Sequence, residues 1–130
     1  MWQMTIEVRT RSRQELVEIT DQVGQAVQES RLDSGVVHLF CLHTTAGLTV
    51  NENADEDVVA DLISGLDRMV QGPWRHREGN SPAHLKASLV GHSLTLPVED
   101  GQLCLGTWQG VFLCEFDGPR TRRVLVRPQG

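Results

Sequence analysis

Apolar and polar residues alternate from Met4 to Val8, with Met4, Ile6 and Val8 on one side and Thr5 and Glu7 on the other. A period of two predicts a strand. ELVEI, residues 15–19, predicts a second short one. In TDQVGQAVQESRL the period changes: Val23, Ala26 and Val27 share one stripe, so a helix is expected, capped by Thr20 or Asp21. Asp33-Ser34-Gly35 signals a turn. VVHLFCL is apolar on both faces and predicts a central, doubly covered strand, and Leu48–Val50 predicts a short one.

The next helix carries the clearest pattern in the chain. Val58, Val59, Leu62, Ile63, Leu66, Met69 and Val70 recur at helical spacing and are expected to be buried. Asn53, with Glu56 three residues on, has the spacing of a capping box, and Asp55, Glu56 and Asp57 suit the positive end of the helix dipole. Gly72-Pro73 ends the helix, and PWRHREGNSP shows no period. AHLKASLVG predicts a short helix stopped by Gly91. SLTLPV, QLCLGTW, GVFLCEF and RRVLVRP then predict four strands joined by EDG and DGP turns. The order β-β-α-β-β-α-α followed by four strands predicts an α+β fold with a mostly antiparallel sheet or sandwich. With 130 residues and no linker or repeat, residues 1–130 are expected to form a single domain.

The formal net charge of −5 argues against a nucleic-acid partner. Arg120, Arg122 and Arg123 form the densest basic cluster, too small for a duplex but sufficient for one small anion. No apolar run reaches the length of a bilayer span, and the alternating, charged N-terminal stretch lacks the pattern of a signal peptide. Cys41, Cys104 and Cys114 are expected to be reduced and buried, consistent with a cytoplasmic protein.

The histidines differ in setting. His38, within an apolar strand, is expected to pack in the core, and His92 to be solvated in a turn. His43 leaves the central strand, while His76 and His84 bracket the aperiodic loop. Their spacing matches no local zinc motif; either they are unrelated or they close on one divalent ion, with an open position for water or substrate. Glu52 shares a strand face with Val50, an unusual place for an acid unless it faces a cleft, where it can act as a general base. Thr44, Thr45 and Gly47 form a turn whose hydroxyls and amides can hold phosphate, although no nucleotide-binding motif is present. Gly106-Thr107-Trp108-Gln109 is either a bulge or a pocket wall, with Trp108 as a flat face and Gln109 as a hydrogen-bonding group.

SLTLPVEDG at 93–101, GTWQ at 106–109 and Val111 together resemble the signature of the YjbQ-like family of small bacterial and archaeal proteins, assigned a secondary thiamine-phosphate synthase activity. HTTAGLTVNENAD, AHLKASLVG and EFDGPRTRRVLV resemble the same family. The resemblance implies a homotrimer with clefts between subunits. It also implies a cation site at His43, His76 and His84, for which zinc is the expected metal. The implied activity joins a pyrimidine diphosphate to a thiazole phosphate as a side reaction. One departure is visible: the family carries an acid just before the second loop histidine, where this chain reads Ser81-Pro82-Ala83-His84. If that acid takes part in the site, either metal binding is weaker here or Glu52 or Asp55 takes its place.

The candidate site is therefore Glu52 and His84 as catalytic groups and the three histidines as metal ligands. Thr44, Thr45, Trp108, Gln109, Arg120 and Arg122 are the candidates for holding a phosphorylated small molecule. A metal-assisted transferase, a non-catalytic trimeric metal- or anion-binding module and a metal-dependent hydrolase are all compatible with that set.

Overall fold

The computed structural model describes residues 2–130. The strands are β1 (Met4–Arg9), β2 (Glu15–Glu18), β3 (Gly35–Cys41), β4 (Ala46–Glu52), β5 (Ser93–Glu99), β6 (Gln102–Leu103), β7 (Gln109–Glu115) and β8 (Thr121–Gln129). The helices are α1 (Thr20–Ser30), α2 (Glu56–Met69) and α3 (Ser81–Val90). All pairings are antiparallel, in a five-stranded sheet ordered β1-β8-β3-β5-β6 and a three-stranded sheet ordered β2-β7-β4. This is the expected α+β architecture. Among the described residues no helix is long and apolar enough to cross a membrane.

Alternation builds the main core. Ile6 and Val8 of β1, Val37, Leu39 and Cys41 of β3, and Val124 and Val126 of β8 face inward from the larger sheet. They meet Leu48, Val111 and Leu113 of the smaller sheet and Val23, Ala26 and Val27 of α1. The outer face of the smaller sheet forms a second cluster, in which Cys114 and Phe116 pack against Ala83 and Ala87 of α3 and against Leu66 of α2.

The doubly covered strand is β7, buried from Gly110 to Glu115, and not β3. In β3 the alternate residues Val36 and His38 are half-exposed and Phe40 is exposed. His38 is thus no core residue: its ring nitrogens bond the Thr95 hydroxyl at 3.0 Å and the Gln129 side chain at 2.8 Å on the outer face. A run of mixed apolar residues cannot reveal whether a second layer exists to cover its far side, and here the helices lie over β7. Cys104 is exposed, against expectation, because it follows β6 at the edge of the larger sheet, where its N–H still donates to the Pro97 carbonyl at 2.9 Å but no further strand lies beyond among the described residues.

Helix α2 also departs from expectation. Its N-cap is Asp55, whose carboxylate accepts the Asp57 N–H at 2.9 Å. The Asn53 amide is used elsewhere, donating to Glu18 Oε2 at 3.0 Å. None of the residues of α2 is fully buried, and Met69 is 72% exposed. Full burial of one such side chain contributes about 1.5–3 kcal/mol, so the helix lacks the anchoring its stripe promised. A polar clamp helps to hold its end, where buried Lys86 of α3 donates to Asp67 and to Gln14.

Candidate functional site

The turn between β3 and β4 is pinned from three sides. The Leu42 N–H donates to the Arg123 carbonyl at 3.1 Å, and the Arg123 N–H returns a bond to His43 Nε2 at 2.7 Å. The Phe116 N–H donates to the Thr45 carbonyl at 3.2 Å. Gly47 is required at its position: a Cβ there would stand 2.6 Å from the Gly91 carbonyl oxygen. The turn therefore sits where the end of α3 crosses the start of β4.

Beneath it lies a buried ion pair. Glu115 has no exposed surface and Arg122 is 2% exposed. Arg122 donates through Nε to Glu115 Oε2 at 2.7 Å and through Nη2 to Glu115 Oε1 and to the Thr45 hydroxyl. The Thr10 hydroxyl donates to Glu115 at 2.8 Å, and the Asp117 N–H does so at 2.9 Å. Burial is the largest single influence on Glu115 and pushes its carboxyl up. The Arg122 fork, the Asp117 amide and Thr10 together outweigh it and hold the group below its ordinary range.

Above this pair opens a cleft of ≈ 380 Å³, lined by His43, Thr44, Asn80, His84, Asp117 and Arg120, among others. His43 accepts the Arg123 N–H, so its ring is unprotonated at Nε2 and its proton lies on Nδ1. Burial, followed by the Arg122 charge, lowers its pKa and keeps the ring neutral at pH 7. Arg120 donates through Nε to the Asp117 carbonyl at 2.7 Å and pairs with the Asp117 carboxylate at 3.1 Å, while remaining 55% exposed. Asn80 donates to that carboxylate at 3.0 Å. Its Oδ1 is buried and has no hydrogen-bond partner among the described residues.

His84 lines this cleft and also a second one of ≈ 480 Å³ with Trp74 and His76. The His76 and His84 rings meet edge to face with centroids 5.6 Å apart, and His76 Nε2 lies 3.6 Å from Glu78 Oε2. Pro82 occupies the first turn of α3, where its missing N–H costs nothing. It also leaves that turn without an acid.

The sequence candidates thus fall into two groups. His43, Thr44, Thr45, His84, Arg120 and Arg122 line one cleft, with His76 in the neighbouring one. Thr45 and Arg122 are buried and bonded to each other. Glu52 lies at the far end of β4, about 20 Å away at ~3.3 Å per residue, beside a different groove that also takes in Asp55. Trp108 and Gln109 belong to that far end: the Trp108 carbonyl accepts the Asn53 N–H at 3.0 Å, and the indole is 63% exposed. Gln109 closes its own turn, accepting the Gly106 N–H at 2.8 Å. Asn80 and Asp117 joined the cleft unannounced. Asn80 falls in the aperiodic PWRHREGNSP run and Asp117 in the DGP turn, and nothing local in either marks a shared cavity.

The donor set can be tested against a shared divalent ion. A neutral imidazole has one lone pair, and that of His43 is occupied by the Arg123 amide. Among the described residues no group of three His, Cys, Asp or Glu side chains is arranged to hold a metal. In this arrangement the three imidazoles do not fit one ion.

Comparison with known proteins adds the lineage. Residues 4–130 match the family model described as UPF0047 protein YjbQ-like. The UPF0047 protein YugU of Bacillus subtilis is 47% identical over 97% of this chain and 98% of its own length. A UPF0047 protein of Archaeoglobus fulgidus is 43% identical over 95% of this chain and 98% of its own. Among solved structures, a YjbQ/UPF0047 family protein of Clostridium acetobutylicum, 46% identical, superposes with a TM-score of 0.94 over 97% of this chain and 99% of its own. One of Sulfolobus solfataricus, described as a YbjQ-like protein of unknown function, is 36% identical and gives 0.93 over 99% and 96%.

Proposed function

The chain belongs to the YjbQ-like UPF0047 family, and from that premise we propose that its cleft binds a phosphorylated small molecule and performs acid–base chemistry on it, as in a thiamine-phosphate synthase-like transfer. The observation that carries the reading is the convergence of His43, His84 and Arg120 on one cavity of ≈ 380 Å³. Arg120, exposed at the rim, supplies a guanidinium fork for a phosphate. His43, held neutral with its proton on Nδ1, offers a hydrogen-bond donor. His84 offers a second imidazole for proton transfer. In the implied reaction the thiazole nitrogen forms a bond to the pyrimidine methylene carbon as that carbon's bond to diphosphate breaks. The Arg120 charge would stabilise the departing anion.

Zinc belongs to a second reading, favoured by the closeness of His76 and His84, and it requires His43 to leave the Arg123 amide. A homotrimer is part of the same proposal. Its support is the uncovered outer face of the large sheet, where Phe40 and Leu42 are each 48% exposed and Phe40 pairs with Leu125. Light scattering tests it, and a monomer at micromolar concentration rejects it.

The deciding experiment is turnover of a panel of phosphorylated metabolites by purified protein, with and without added zinc. Wild type should turn over at least one substrate, and Arg120→Gln and His84→Ala should each lower the rate at least about tenfold. Phosphate binding without turnover in any arm would leave a binding module. No binding at all would reject the reading.

A further inference from the structure

The groove beside Glu52 is a second cavity, of ≈ 580 Å³, beneath the N-terminal half of α2. Leu16 of β2 and Phe112 of β7 form its floor, and Val59 and Ile63 of α2 form one wall. Phe112 is 5% exposed, whereas no residue of α2 is fully buried, so the helix bridges the sheet without closing on it. A space of this size falls within the range of small-molecule sites. Its mouth is acidic: Asp55 and Glu56 are exposed and Glu52 is half-buried. No lysine or arginine is among the described residues that line it.

We propose that this groove binds a small organic cation with an apolar body, such as a primary amine on a short hydrocarbon or aromatic frame. The apolar body would cover Leu16, Phe112 and Ile63, completing the burial that the α2 stripe lacks. The ammonium would lie among the Glu52, Asp55 and Glu56 carboxylates, in partial contact with water. Charge complementarity selects this occupant. A fatty acid of the same shape would set its carboxylate against three others, and a neutral alcohol would gain the apolar contact alone. The proposal assigns Glu52 a binding role separate from the histidine cleft at the other end of β4.

The test uses the full chain and three probes of equal length: n-hexylammonium, hexan-1-ol and hexanoate at pH 7. Binding is read from the amide NMR shifts of Val59, Ile63 and Phe112. Hexylammonium should give saturable shifts there and bind about tenfold tighter than hexanol, the combined effect of partly exposed charge pairs, while hexanoate shifts nothing. Glu52→Gln combined with Glu56→Gln should bring the ammonium to within about twofold of the alcohol while the spectrum stays that of the folded protein. Ile63→Trp should fill the groove and remove binding of both hexylammonium and hexanol. The proposal is overturned if no probe shifts these amides, if hexanoate binds as well as hexylammonium, or if the preference survives the double substitution.

Discussion

The Arg122 guanidinium holds both oxygens of the Glu115 carboxylate in a space closed to solvent. Two charges removed from water are tolerable only as a bonded pair, and removing one strands the other. Arg122→Met should therefore destabilise the fold by about 3–5 kcal/mol in urea unfolding, and combining it with Glu115→Met should restore much of the loss. Arg120→Gln, at an exposed position, should change stability by less than about 0.5 kcal/mol while weakening phosphate binding about tenfold. If Arg122→Met is as stable as wild type, the pair is not structural.

His43 makes a pH-dependent contact. The Arg123 N–H can donate to Nε2 only while that nitrogen is unprotonated. Burial and then the Arg122 charge lower the ring's pKa from its ordinary value of 6.5. Between the folded and unfolded values the native state holds fewer protons than the unfolded chain, so stability rises with pH. The contribution is fully present above pH 6.5 and is lost as pH falls through the folded pKa. An NMR titration should place the His43 midpoint below that of the same histidine in an unfolded peptide. A midpoint at or above the peptide's would show that the ring is not held as described.

Most of the fold was legible because period-two and helical spacings encode which face of each segment is buried. The outcome for β3 and β7 marks the limit. Both runs are almost wholly apolar, yet only β7 has helices over its outer side. Which strand receives the second cover depends on where α2 and α3 dock, and that is not written in either strand. The same limit explains the candidate site. His43 and Arg120 are 77 positions apart and meet because β8 pairs with β3. Glu52 and His43 are near in sequence yet lie at opposite ends of a strand. Separation along the chain is thus no guide to which of these residues share a cavity, and Asn80 and Asp117 meet there because the start of α3 lies beside the end of β7.

The three cysteines should differ in reactivity. Cys114 lies between β7 and α3, where burial pushes its thiol up to about 12, and burial likewise raises Cys41. A thiol that stays protonated and covered does not attack. Cys104 is exposed. A thiol reagent under native conditions should modify one group per chain quickly and the other two only on unfolding. Cys104→Ser should abolish the fast phase. Rapid modification of all three would contradict the burial of Cys41 and Cys114.

The Lys86 clamp offers a direct measure of how α2 is held. Lys86 Nζ is buried and donates to Asp67 of α2 and, at 2.8 Å, to Gln14. The Lys86 hydrogen bond is the main cause lowering the Asp67 pKa below its ordinary value of 3.8. Asp67 binds fewer protons in the native state, so its contribution is present above that value and is lost as pH falls through the folded pKa. At neutral pH, Asp67→Asn leaves the ammonium with a weaker partner and should cost about 1–3 kcal/mol, toward the lower end because the Asp67 side chain is 46% exposed. Lys86→Met removes the need for a partner and should cost less than Asp67→Asn. Hydrogen exchange should show the loss in Asp67→Asn first in the amides of α2, whose own apolar stripe is incompletely covered. Uniform acceleration across β3, β7 and β8 instead would mean that α2 unfolds only with the whole domain.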